Sequence, residues 1–178
     1  MKYFLCLFLG CTGSFPVAFS ETAEASIDGT GPIGSWIELV SDLGFDSFTE
    51  MDISNSAELQ NQGVAPGDID SAHVTEFVLR VVEPSDGDLS FLSSLEIWVE
   101  AQDLEPVLVA HHYNFPDGER EIYFTIEDVD LVDYVVSDSL NITTNASGQA
   151  PVDDTTVEAS VSFVVDVTKQ GACNAISQ

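Results

Sequence analysis

The sequence predicts an all-β fold, an antiparallel β-sandwich of jelly-roll or immunoglobulin-like type with short helical turns. Three observations carry that expectation. Val157, Ala159, Val161, Phe163, Val165 and Val167 alternate with Glu158, Ser160, Ser162, Val164 and Asp166, the period of a strand with one dry and one wet face. Shorter runs of the same kind recur between turn signals, giving roughly seven or eight strands. Between them there is no helical pattern of the ~10 or more residues that a parallel crossover needs.

Residues 1–20 read as a targeting signal. Lys2 precedes an apolar run from Tyr3 to Leu9, well short of the ~20 residues of a permanent bilayer span. Two processing points compete. Leu9-Gly10-Cys11 resembles the end of a bacterial lipobox, in which a small residue precedes the cysteine that becomes lipidated, although Phe8 stands where leucine is usual. Ala18-Phe19-Ser20 offers small residues at the −3 and −1 positions for ordinary cleavage before Glu21. The apolar run ends directly at the Gly-Cys pair, which favours lipidation at Cys11. Residues 21–34, small, polar and glycine-rich, read as a flexible tether, residues 35–168 as the sandwich domain and residues 169–178 as a C-terminal tail.

Within the domain, Trp36, Ile37, Leu39 and Val40 suit a first buried element, and residues 55–63 suit a short helix capped by Asn55 or Ser56 and stopped at Gly63. Phe77–Val82 is apolar on much of both faces and is expected to be a central strand. Leu95–Glu100, a strand after Pro106 reaching His111, and Ile122, Phe124 and Ile126 on one face of another strand follow. Residues 128–136 break the alternation and suit a helical turn that packs Leu131, Tyr134 and Val135, before a strand at 140–144. The strand at 157–167 closes the domain, with Glu158 and Asp166 expected in solvent.

The charge bounds the function. Thirty-one Asp and Glu face four Lys and Arg. Without residues 1–20, which hold Lys2 and no acid, three cations against thirty-one acids leave −28. Nucleic acid and anionic lipid headgroups are recognised through Lys and Arg, so such a surface excludes nucleic acid as a partner and leaves membrane contact only through a lipid anchor. Basic proteins and glycans are the partners it admits. The apolar fraction of 44% with eleven Phe provides for a folded core. Cys6 lies in the signal and Cys11 is lipidated or removed, so Cys173 is left alone and no disulfide framework is expected.

Candidate sites are few, and no catalytic residue is assigned. Calcium is the one cofactor the acids suggest, since hard cations take several carboxylate oxygens. Asp86 and Asp88 are the metal candidates, with further Asp-rich turns at Asp68 and Asp70, Asp128 and Asp130, and Asp153 and Asp154. Turn chemistry alone also places Asp there. Trp98 shares its strand face with Glu96 and Glu100, a pairing that could stack a sugar ring and bond its hydroxyls; the plainer reading has the 128–136 turn covering the indole, or both sheet faces buried there. His111 and His112, adjacent on a strand, point to opposite faces and cannot share a metal without a bulge.

Several segments carry a resemblance: Gln62 through Ser71, Asp88-Leu89-Ser90-Phe91-Leu92, Asp128 through Tyr134, and Thr143-Thr144 through Asp153-Asp154-Thr155. In these the chain resembles uncharacterised exported bacterial β-sandwich proteins, often carrying lipoprotein signals, over about residues 48–168. The resemblance implies fold and location and brings no active site. The expectation is an exported or lipid-anchored, non-enzymatic binding or structural module of the cell envelope. It would sit on the outer membrane or cell surface, or otherwise be periplasmic or secreted. A small extracellular glycan-acting hydrolase and a calcium-dependent carbohydrate-binding module are the alternatives.

The charge also makes a prediction. A folded surface of −28 holds carboxylates closer together than the unfolded chain does, and screening shortens that repulsion from about 30 Å at 0.01 M to about 8 Å at 0.15 M salt. The melting temperature should therefore climb across that interval in any monovalent salt. A melt that does not move with salt would contradict the repulsion argument.

Overall fold

The computed structural model describes residues 15–29, 65–137 and 140–168. These fold as an all-β sandwich of two antiparallel sheets. The strands are β1 (Phe15–Ile27), β2 (Ile69–Glu83), β3 (Leu92–Glu100), β4 (Val107–Tyr113), β5 (Glu121–Tyr123), β6 (Thr125–Ile126), β7 (Asn141–Gly148) and β8 (Thr155–Val167), with one helical turn, α1 (Val132–Val135), before β7. Among the described residues sheet A has the order β1-β8-β2-β5 and sheet B the order β6-β4-β3-β7.

β8 is the strand the alternation predicts. Its thirteen residues are buried at every second position from Thr155 to Val167, with Val157, Ala159 and Val165 almost wholly inaccessible. Thr155 is the one polar member of that row, and its hydroxyl donates to the Asp153 carbonyl at 2.9 Å, so its burial leaves no orphaned donor. Leu79 and Val81 of β2 and Leu95, Ile97 and Val99 of β3 meet this face from the same core. The first and last described strands pair with each other. That pairing is a jelly-roll feature, absent from the immunoglobulin order in which the first strand lies beside the second.

β1 corrects the expected N-terminal boundaries. It pairs with β8 over thirteen positions, from Phe15 opposite Val167 to Ile27 opposite Thr155, so residues 21–27 are strand rather than tether and the sandwich includes residues before 35. The alternation was present in Val17, Ala23 and Ala25, which are buried. Small side chains made that row look like a linker.

β2 starts at Ile69, eight residues before the apolar run at Phe77. Register shifts between Ile69 and Ser71, Val74 and Glu76, and Val81 and Glu83 interrupt its period, and a bulge of this kind hides a strand from a period-2 reading. Its outer face is not dry: Val78 is half-buried and Val82 exposed. Glu158 and Asp166, expected in solvent, are half-buried beneath β2 side chains. Arg80 lies 2.7 Å from Glu158, and the Ser71 hydroxyl donates to Asp166 at 3.0 Å.

Residues 122–126 are not one strand. β5 belongs to sheet A and β6 to sheet B, and the chain changes sheet at Phe124. The Phe124 N–H donates to the Phe77 carbonyl at 3.0 Å, and its ring meets Phe77 edge-on at 4.8 Å. Residues 128–136 do make the expected turn, burying Leu131 and Val135. Asp130 fastens it: one carboxylate oxygen accepts from the Ala72 and Val132 N–H groups, each at 3.0 Å. The expected elements at 36–40 and 55–63, Cys11 and residues 169–178 lie outside the described residues.

Phe163→Ala should cost about 3–5 kcal/mol of unfolding free energy, measured by urea denaturation, because it empties the middle of the face shared by the two sheets. A loss near zero would mean that this face is not the core.

Candidate functional site

The outer face of sheet B gathers the polar and aromatic side chains that the core does not use. On β3, Leu95, Ile97 and Val99 point inward, so Glu96, Trp98 and Glu100 point outward and are half-buried. β4 carries a bulge at the Ile97/Trp98 step: Ala110 sits opposite Ile97, and Leu108 opposite Trp98. Val109 and Ala110 are consequently both buried, while His111 comes opposite Glu96. From the other side β7 brings Asn145 opposite Glu96 and Thr143 opposite Trp98.

Glu96 is the hub. The Tyr113 hydroxyl donates to its Oε1 at 2.7 Å, and the Trp98 indole N–H and the Asn145 amide donate to its Oε2, each at 3.2 Å. Above all the Tyr113 hydrogen bond holds the Glu96 carboxyl below its ordinary pKa; Trp98, Asn145 and the nearby His111 add to this, and burial opposes it. The same bond pushes the Tyr113 hydroxyl up. Thr143 donates to Glu100 Oε1 at 3.2 Å, and the Ser94 and Ser147 hydroxyls share a bond of 2.7 Å. His111 stacks obliquely on Tyr113 at 4.8 Å. Its Nδ1 is 3.2 Å from Glu127 Oε1, a close approach whose angle falls short of a hydrogen bond.

The structure thus brings Trp98 and Glu96 together with Tyr113 and Asn145, and places Glu100 beside Thr143. In the turn at 128–136, α1 packs on β2, and the Tyr134 hydroxyl donates to the Glu105 carbonyl at 2.6 Å. Sequence reasoning missed Tyr113, Asn145 and Thr143. Period 2 from His111 reaches Tyr113, and the alternation of Thr143 and Asn145 puts both on one face of β7; the missing link was the pairing of those strands with β3.

The Asp-rich turns are held by their own backbone. Asp88 accepts from the Ser90 hydroxyl at 2.6 Å and the Ser90 N–H at 3.0 Å through Oδ1, and from the Gly118 N–H at 2.7 Å through Oδ2. These bonds, the Ser90 hydroxyl first, hold its carboxyl below the usual carboxylate range. Asp68 accepts from the Ala65 N–H and Asp154 from the Gly29 N–H. Asp86 and Asp88 line an open groove of about 400 Å³ between the β2–β3 and β7–β8 connections. Among the described residues no three His, Cys, Asp or Glu side chains are grouped to hold a metal ion. Both oxygens of Asp88 accept loop donors, and Asp86 lies beside it on the groove. His112 turns inward against Phe115 and Phe124, at 4.7 and 5.8 Å, and burial there pushes its pKa down. His73 Nδ1 lies 3.0 Å from the Val129 carbonyl.

No protein family matches the sequence, and none of the curated proteins compared with it matches either. Among solved structures, a chain of Desmodium yellow mottle tymovirus is 10% identical, over 94% of this chain and 96% of that one, with a TM-score of 0.29. At that score the likeness carries no argument about function.

Tyr113→Phe should raise the pKa of Glu96 toward the ordinary glutamate value, read by carbon-13 NMR of its carboxyl. The folded pKa is depressed, so the stability from this hub is complete above the unfolded pKa and is lost as pH falls through the folded one. The variant should therefore lose less stability on acidification than the parent. An unmoved Glu96 titration would show that the Tyr113 bond is not what lowers it.

Proposed function

We propose that this chain is a non-enzymatic binding module of the cell envelope, exported and held at the membrane by a lipid on Cys11, that presents the outer face of sheet B to its ligand. The observation that carries the binding reading is the state of Glu96. A glycosidase acid must hold a proton at working pH, which calls for a raised pKa. Glu96 is shifted the other way, and its two oxygens accept three donors from within the site. Such a carboxylate fixes its neighbours in place and is not poised as a general acid.

The register of β1 supports the Cys11 reading over cleavage before Glu21. Cutting before Glu21 would delete Phe15–Ser20, six of the thirteen positions paired with β8, and would bare the β8 backbone from Ser162 to Val167 along that edge. Unpaired strand edges cost hydrogen bonds and invite aggregation. Processing at Cys11 leaves β1 whole, with only Thr12-Gly13-Ser14 between the lipid and the first strand. Anchored in that way, the sandwich stands with its Phe15 end toward the bilayer and the other end of β1, about 40 Å further on, away from it.

Expression in a bacterial host with labelled palmitate tests the anchor. The parent should incorporate label at a mature N-terminus of Cys11, and Cys11→Ser should abolish labelling. A mature protein that starts at Glu21 by mass would overturn the anchor and make the module a freely secreted one.

A further inference from the structure

The chemistry of the sheet B face narrows the ligand, given the reading of that face as the binding surface. We infer that the ligand is a neutral glycan that seats on the Trp98 and Tyr113 rings.

Charge removes the other classes. Anionic ligands, uronic acid polymers included, meet a chain of net charge −27. A basic peptide would be drawn toward the protein as a whole, yet the two β3 acids of this face are engaged. Glu96 accepts three internal donors and Glu100 accepts Thr143. A Lys or Arg taking either carboxylate would have to compete with those bonds, and such exchanges gain little near solvent.

What the face offers instead is aromatic surface edged by neutral hydrogen-bonding groups. Tyr113 is 45% exposed, and Trp98 is half-buried with Leu108 opposite it. Both rings are tethered by their polar ends to one carboxylate, so little rotational freedom remains to be lost on binding. Around them stand the Asn145 amide, the Ser94–Ser147 hydroxyl pair and Thr143. The carbon–hydrogen face of a sugar ring suits an aromatic platform, and its hydroxyls suit amide and hydroxyl partners. The rows carrying Trp98 and Tyr113 are four residues apart along β3, from Trp98 to Ser94, which faces Tyr113. Across that span both side chains lean inward to bond one carboxylate, Glu96, so the two rings form a single platform for a glycan.

A glycan array bearing neutral hexose and N-acetylhexosamine oligosaccharides, with uronic acid oligomers beside them, tests this. Hexalysine serves as the cationic probe, and the Trp98 indole resonance reports occupancy. Binding to neutral members is expected, with affinity falling at least tenfold in Trp98→Ala and several-fold in Asn145→Ala, an exposed position at which the fold should persist by its unchanged melting temperature. Uronic acid members should not bind, and no reducing ends should be released. Absence of binding to every neutral member, or neutral binding that Trp98→Ala and Asn145→Ala leave untouched, overturns the inference. If hexalysine alone shifts the indole resonance, the ligand class is wrong while the face stands as a binding surface. If neither probe shifts it, the reading of the face fails too.

Discussion

Everything else in this fold hangs on the backbone pairing of β8 along both of its edges. β8 is paired with β1 over its whole length and with β2 from Thr156 to Val167. A strand with two neighbours cannot slip by one residue without turning its whole dry row to solvent. At about 1.5–3 kcal/mol for each large apolar side chain buried, that slip would cost more than a small domain's net stability. The register of β8 therefore fixes β1 and β2, and these in turn set where the sandwich begins and ends. Sheet B faces this frame through the row that includes Leu95, Ile97 and Val99. Because that row must point inward, Glu96, Trp98 and Glu100 have no choice but the outer face.

The acidity is accommodated in a way that the composition alone does not reveal. With so few cations, ion pairs cannot neutralise the carboxylates. Among the described residues the Arg80–Glu158 pair is the one arginine–carboxylate contact, and it lies partly in solvent, where such pairs contribute little. Arg120 goes elsewhere: its guanidinium donates to the carbonyls of Pro84, Gly87 and Val81 and so holds the β2–β3 connection in shape. The carboxylates are met by neutral donors instead. Asp68, Asp88, Asp130 and Asp154 accept from backbone N–H groups, and Asp88, Asp166, Glu96 and Glu100 accept from side chains. Hydrogen bonds to the ionised form favour it, which lets acids serve as turn fasteners in a chain that has almost no counter-charge to give them.

How legible this was in the sequence follows from the same physics. β8 could be read outright, because its alternation is unbroken and its inward row is large. β3 could be read for the same reason, and with it the outward placement of Trp98, Glu96 and Glu100. β1 could not, since an inward row containing Ala23 and Ala25 carries too little apolar contrast to separate a strand from a linker. The first half of β2 was hidden by bulges, and the passage of the chain between sheets at Phe124 by an alternation that continues unchanged through the crossing. The site was half legible: its β3 members follow from local period, whereas Tyr113, Asn145 and Thr143 depend on which strands flank β3, and pairing is a long-range fact. The Asp-rich turns were legible as turns, but not as to which oxygens their own backbones occupy.

The bulge in β4 ties the last of these points together. Were β4 regular beside β3, with Ala110 kept opposite Ile97, Val109 would stand opposite Trp98 on the outer face. Inserting one residue there buries Val109 and Ala110 side by side and shifts the strand beyond them by one position, so that His111 lies opposite Glu96 while Tyr113, two residues on, reaches the same carboxylate. A bulge gives up local ladder hydrogen bonding and re-aims a side chain in return. Here it trades regularity in a central strand for an aromatic hydroxyl bonded to a neighbouring strand's acid. The apolar demand of the core and the polar order of the outer face are thus met by one irregularity, and loss of that irregularity would disturb both sides of the sheet together.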